Sequence, residues 1–286
     1  MRLLPLLALA SVLCLGFSCS AANDTGNRRF GTPKVLCSLK DSAVSESSGV
    51  TPSALRAETY FTHNDSGNGP VLFQFDSTGS VLHKFNVAGA ENIDWEDIAS
   101  AKVAGKNYLY IGDIGDNAGK RPFITVYRVE ELPAGLGPTT RFDLKYPDEP
   151  HNCEALIVDS KGAITLVTKN ERVASVFHIE NPRPGPVQKL EKLGDIRLES
   201  GIKQGRLVTG GAMDSSNKFV VLRTYIGAFE FDVPSLKTMW FKSVPRKINT
   251  PLELQGEAIC FTSEGTGLVT TSELSPCQVS YIPIIN

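Results

Sequence analysis

The chain has 286 residues, with 29 Lys and Arg against 31 Asp and Glu, for a net charge of −2. Without a basic run, that balance argues against nucleic acid and against anionic membrane surfaces as partners. Six cysteines are present, and four of them, Cys37, Cys153, Cys260 and Cys277, lie beyond the first 22 residues.

The N-terminus reads as an export signal. Met1-Arg2 carries the charge, Leu3 to Phe17 is almost wholly apolar, and small residues follow at Ser18, Ser20, Ala21 and Ala22. The expected boundaries are a signal peptide over 1–22, a flexible lead-in over 23–33 and one domain over 34–286. The apolar run is too short to favour a membrane span, so the expected product is secreted or periplasmic. Lipid anchoring through Cys19 is the alternative, although Gly16-Phe17-Ser18 fits a lipobox poorly. About 250 residues remain after the leader, enough for one domain with a sizeable core.

Short runs rich in Val, Ile, Tyr, Phe and Thr then alternate with Gly, Asp, Asn and Pro turns, an all-β pattern. A first group of strands is read at Ser48 to Pro52, Thr59 to Thr62, Val71 to Asp76 and Val81 to Val87. A second runs through Trp95 to Val103, Tyr108 to Gly112, Ile124 to Val129 and Arg141 to Tyr146. The third uses Glu154 to Asp159, Ile164 to Thr168, Val176 to Ile179 and Lys189 to Leu198. The fourth uses Leu207 to Met213, Phe219 to Arg223, Ala228 to Val233 and Met239 to Ser243. A fifth supplies Glu257 to Phe261, Leu268 to Thr271 and Val279 to Ile284, and lacks an outermost strand.

The groups share a frame. Glu96-Asp97-Ile98, Glu154-Ala155-Leu156 and Glu257-Ala258-Ile259 are near-copies, with weaker ones at Ser48-Gly49-Val50 and Gly211-Ala212-Met213. The frame positions are spaced by 48, 58, 57 and 46 residues, close to the period of roughly 40–50 residues typical of propeller blades. The expectation is a five-bladed β-propeller whose last blade is completed by the N-terminal strand Lys34 to Leu39, leaving no exposed edge. Six blades is the alternative, with a degenerate blade hidden at 130–141 or 180–206. Closure would bring Cys37 and Cys277 onto neighbouring strands, so that disulfide is the favoured pairing.

Equivalent blade positions converge on the axis. Glu96, Glu154 and Glu257, with Ser48, would therefore crowd one channel, and buried like charges ask for a cation. Calcium suits such hard oxygen ligands in an exported protein. At Gly211 only a carbonyl or water could serve.

A second set follows the second strand of each blade: Asp65, Asp113, Lys169, Arg223 and Glu273. Thr62-His63-Asn64-Asp65-Ser66-Gly67 and Gly112-Asp113-Ile114-Gly115-Asp116-Asn117 are dense in short polar residues beside glycines. Tight turns explain each alone, yet both lie 17 residues after a frame position. Asp65, Asp113, Asp116, Lys169 and Arg223 are the candidate catalytic residues, with the two cations facing a small anionic substrate. No Gly-x-Ser-x-Gly elbow is present, and the expected state is a monomer.

THNDSG (62–67), DWEDIA (94–99), YLYIGDIGDN (108–117), CEALIVD (153–159), VLRTY (221–225) and QGEAI (255–259) together resemble a family of exported bacterial β-propeller proteins of no established activity. A more distant resemblance is to the calcium-activated nucleotidases, or soluble apyrases. It implies a calcium on the axis of five blades, held by serines and glutamates, with Ser48, Glu96, Glu154 and Glu257 at matching positions and Gly211 where a serine is expected. The arginine-rich strand end of that family is reduced here to Thr168-Lys169-Asn170. Two functions follow as expectations: a calcium-dependent hydrolase of phosphoesters or other anionic esters, or a non-catalytic binding scaffold with structural calcium.

Overall fold

A computed structural model describes residues 28–253 and 255–285; the expected signal peptide lies outside them. Five antiparallel sheets follow one another along the chain. Blade one comprises Ser47–Pro52, Thr59–Asn64, Val71–Asp76 and Val81–Asn86. Blade two comprises Trp95–Val103, Lys106–Asp113, Ile124–Leu132 and Thr140–Lys145. Blade three is built from Cys153–Val158, Ile164–Thr168, Ala174–Ile179 and Glu191–Ile196. Blade four contains Val208–Met213, Phe219–Thr224, Gly227–Asp232 and Arg246–Ile248. Blade five contains Gly256–Phe261, Gly267–Ser272 and Cys277–Ile285, closed by Lys34–Leu39. The fold is a five-bladed β-propeller sealed by its N-terminal strand.

The long joins hold no sixth blade. Gly135–Leu136 folds back onto Leu132 and Glu131, and Gln188–Lys189 adds in parallel to the edge of blade two. Part of the expected lead-in also belongs to the fold. Arg29 and Phe30 pair with Ile285 and Ile284, and the Arg28 guanidinium lies 3.0 Å from buried Glu230.

Two expectations are corrected. The outer strand of blade four is not Met239 to Ser243: Trp240–Lys242 forms a single helical turn, and Arg246–Ile248 makes the strand. Trp240 and Phe241 are consecutive and both buried, Trp240 lying 5.3 Å from Phe231. A strand would send one of the two into solvent. The Cys37–Cys277 bridge is absent, and all four cysteines are free thiols. The closing strand does lie beside Cys277, but Cys37 faces Val279 while Leu39 faces Cys277. That diagonal offset separates side chains by about 7–8 Å, beyond disulfide reach.

The core lies between blades rather than at one centre. Tyr110, Phe142, Leu156 and Phe177 fill the gap between blades two and three. Phe61, Leu72, Trp95 and Ile111 fill the one between blades one and two. Inner strands are covered on both sides, as in Cys153–Val158, where every residue is buried.

One irregularity recurs in all five blades. The ladder between the inner and second strands skips a residue between Ser47 and Gly49, Trp95 and Asp97, Cys153 and Ala155, Val208 and Gly210, and Gly256 and Ala258. Each shift is a β-bulge that leaves one residue unpaired and re-aims its side chain. The five bulged residues are Ser48, Glu96, Glu154, Thr209 and Glu257. Blade four therefore contributes Thr209 to the axial ring, and Gly211 sits two residues deeper.

Candidate functional site

The bulges lie at one mouth of the axis, here called upper, where inner strands begin and second strands end. All five bulged side chains are buried. The two hydroxyls tie neighbouring blades together: Ser48 Oγ donates to the Glu96 carbonyl at 2.8 Å, and Thr209 Oγ1 donates to the Glu257 carbonyl at 3.1 Å. The three glutamates differ from one another. Glu154 pairs with the Lys169 ammonium at 2.9 Å and accepts from Asn152 Nδ2 at 3.1 Å. Glu257 has its carboxyl raised by burial, opposed mainly by the nearby Lys169 charge. Glu96 is raised well above the usual range by burial and then by repulsion from Glu154, Asp65 and Asp94. Among the described residues, its carboxylate has no hydrogen bond or ion pair.

Asp65, Asp94 and Glu96 form the tightest acidic group, each with a carboxylate oxygen within 4.8 Å of the others. Burial, then repulsion from Asp65, raises Asp94 to about 6. Asp65 is also raised, burial being the larger cause and the Ser66 amide opposing it. Gly115 closes the group from above: a Cβ there would collide with both Glu96 Oε1 and Asp94 Oδ2. Its amide donates to the Asp94 carbonyl at 3.1 Å.

A second ring surrounds the mouth. The residue that follows each second strand is Asp65, Ile114, Lys169, Tyr225 or Glu273. Lys169 Nζ lies 4.9 Å from the Tyr225 ring centre. Burial, followed by repulsion from Asp65, lifts Glu273 to about 7. Lys169, a partly buried cation, thus lies among several carboxylates.

The remaining candidates stand elsewhere. Asp113 pairs with Arg121 at 2.8 Å and accepts the Asp94 amide at 3.0 Å, so it anchors the Asp94 loop. Asp116 accepts the Lys120 and Arg121 amides at 2.9 and 2.7 Å, which orders its own turn. Arg223 is fully buried against Glu253 and the Ala258 carbonyl. Asp113 is the last residue of its strand, one position before the ring position of its blade, so alternation turns it away from that ring.

The sequence reading passed over two residues. Asp94 opens the DWEDIA run, and its carboxylate lies against Gly115 of GDIGDN. Asp97 lies deeper on the axis and is fully buried. It accepts the amides of Ile98 at 2.9 Å, Leu156 at 2.9 Å and Gly211 at 3.1 Å, linking blades two, three and four. Beyond it, the lower mouth opens on a cavity of about 360 Å³ lined by Thr51, Ser100, Ser215 and Thr262. Thr51 there already donates to Ser100 at 2.9 Å.

Fold and site define a five-bladed propeller with an acidic upper mouth. No family model and no curated protein matches the chain. Among solved structures, one described as a "putative gluconolactonase" is similar at a TM-score of 0.46 and 14% identity, over 79% of this chain and 70% of that one. The five-bladed assignment rests on the strand topology itself.

Proposed function

We propose that the upper mouth binds a divalent cation, calcium in an exported protein, through Asp65, Asp94 and Glu96. The observation that carries this reading is the buried Glu96 carboxylate, which among the described residues has no hydrogen bond or ion pair yet has two further carboxylates within 4.8 Å. Three oxygen donors of one sign with flexible side chains suit calcium better than zinc, which favours nitrogen and sulfur ligands. Ser48, Glu154 and Glu257 complete the proposed axial set around them. The resemblance to calcium-activated nucleotidases supports the same reading, and Thr209 supplies the fourth-blade hydroxyl that it calls for.

On this reading the protein hydrolyses phosphoesters or other anionic esters. Bound calcium would polarise the ester oxygen and lower the pKa of water. Asp65 and Asp94 would stand beside that water, to orient it and take its proton. Lys169 offsets negative charge that develops on the substrate. Asp113 and Asp116 position the loop that carries Gly115. Export is proposed from the leader at 1–22; among the described residues no helix is long and apolar enough to cross a membrane.

The test is thermal melting in calcium against chelator, with metal analysis, followed by assay of phosphoesters and lactones. A calcium-dependent rise lost in Glu96→Gln supports the site, and metal-free protein with no shift sinks it. A non-catalytic scaffold is the second reading, favoured by Arg223, which is fully buried and paired with Glu253 and the Ala258 carbonyl. Calcium binding without turnover on any ester would select it.

A further inference from the structure

The loops around the upper mouth share a pattern. Three of them set an exposed aliphatic residue directly beside a residue of the ionic group: Ile93 beside Asp94, Ile226 beside Tyr225, and Leu274 beside Glu273. Ile93 is 54% exposed, Ile226 36% and Leu274 43%. Single exposed aliphatics are ordinary; these lie on separate loops, each next in sequence to a residue of the group about the mouth. Backbone alternation supplies the reason, since a loop that turns one side chain toward the axis presents the next outward. Ile226 also leans over the neighbouring loop, where a Cβ on Gly205 would lie 3.0 Å from its Cδ1.

We infer that the substrate or ligand is an amphiphile, an oxygen-rich or anionic head group carrying an aliphatic chain. This rests on the reading of the mouth as a cation site. The head is held at the Asp65, Asp94 and Glu96 group and by Lys169, and the chain lies over Ile226, Leu274 and Ile93. One small molecule can meet both surfaces because Ile93 adjoins Asp94, Leu274 adjoins Glu273, and Ile226 adjoins Tyr225, whose ring faces the Lys169 ammonium. A fully polar ligand such as a sugar phosphate would leave the rim in water and gain nothing from it.

The experiment compares ethylphosphonate with octylphosphonate, below its micelle concentration, by titration calorimetry in excess calcium and in chelator. Full burial of a methylene strengthens binding up to about fourfold. Partial burial of six more against an open rim should still give octylphosphonate at least a tenfold advantage that requires calcium. Ile226→Ser with Leu274→Ser should collapse that advantage while leaving the melting temperature within a degree or two, because both residues are exposed. Equal affinity for the two probes, with calcium still bound, overturns the amphiphile and spares the cation site. An octyl advantage that ignores calcium or survives both substitutions also overturns it. Binding of neither probe also overturns the amphiphile, and the calcium melt then decides the cation site by itself. Concentration-dependent dimers abolished by the same substitutions would mean that a second copy covers the rim, which likewise rejects the proposal.

Discussion

Glu96 and Asp97 are consecutive, both buried and opposite in circumstance. Asp97 receives three backbone amides from three blades; Glu96 receives none among the described residues, and faces Asp65 and Asp94 instead. Burial disfavours the charged form of both. What separates them is compensation: a carboxylate met by fixed amide donors is a strut, while one met only by other carboxylates is unfinished without a cation. The same contrast divides the two mouths. The lower one has a roomy cavity, yet Thr51 and Ser100 there are bonded to each other; the upper one is crowded and short of positive charge.

That contrast can be broken most severely at Asp97. Asp97→Ala strands buried amides on blades two, three and four, each worth about 1–3 kcal/mol. The expected loss is about 5 kcal/mol, or a melting point lower by about 10 °C; a fall of only a degree or two would show the strut to be dispensable. Lys169→Met should destabilise by about 3 kcal/mol in chelator, since removing its partly buried ammonium leaves the buried Glu154 carboxylate uncompensated. Calcium should recover much of that loss if the carboxylates then share the ion, and an unchanged deficit would separate Lys169 from the cation site.

Acid should act on the buried histidine beside the strut. Burial lowers the His63 pKa to about 4, below its unfolded value, so its contribution is complete above about pH 6.5 and is lost as pH falls towards 4. The full loss is roughly 3 kcal/mol over that interval. Denaturant melts of wild type and His63→Gln should diverge there, with the variant the flatter. At the upper mouth protons compete with the cation. The calcium-dependent rise in melting temperature should therefore shrink between pH 8 and 5, as Glu273 and then Asp94 protonate at about 7 and 6.

The mildest perturbations sharpen the comparison. Glu96→Gln should raise stability slightly in chelator, by removing a repelled charge, and abolish the calcium-dependent rise. At 100 times its dissociation constant that rise is worth about 2.7 kcal/mol. Gly115→Ala should weaken calcium at least tenfold by pushing on Glu96 and Asp94, with little change in the chelated protein's secondary structure by circular dichroism.

Much of the architecture was legible along the chain. The period, the alternation and the missing outer strand of the last repeat led to five blades closed by Lys34 to Leu39. Ser48, Glu96, Glu154 and Glu257 all fall at bulges as their frame required. Blade four was misframed by two residues, and that single slip accounts for two errors. Gly211 was taken for Thr209 on the axis, and Arg223 for Tyr225 on the second ring. The residues Gly211-Ala212-Met213 imitate the Glu-Ala-Ile frame in composition, and only cross-strand pairing with Leu222, Val221 and Val220 shows where they stand.

Local sequence therefore determined which segments become strands, how many blades form and where acids recur, because hydrophobic alternation and turn chemistry act over a few residues. The tertiary structure decided which acids have partners. Asp94 meets Glu96 under Gly115, Lys169 reaches Glu154, and Asp97 gathers amides from residues 59 and 114 positions away along the chain. Ring closure brings these groups together, and the compensation of a buried charge depends on neighbours in space that no local pattern encodes.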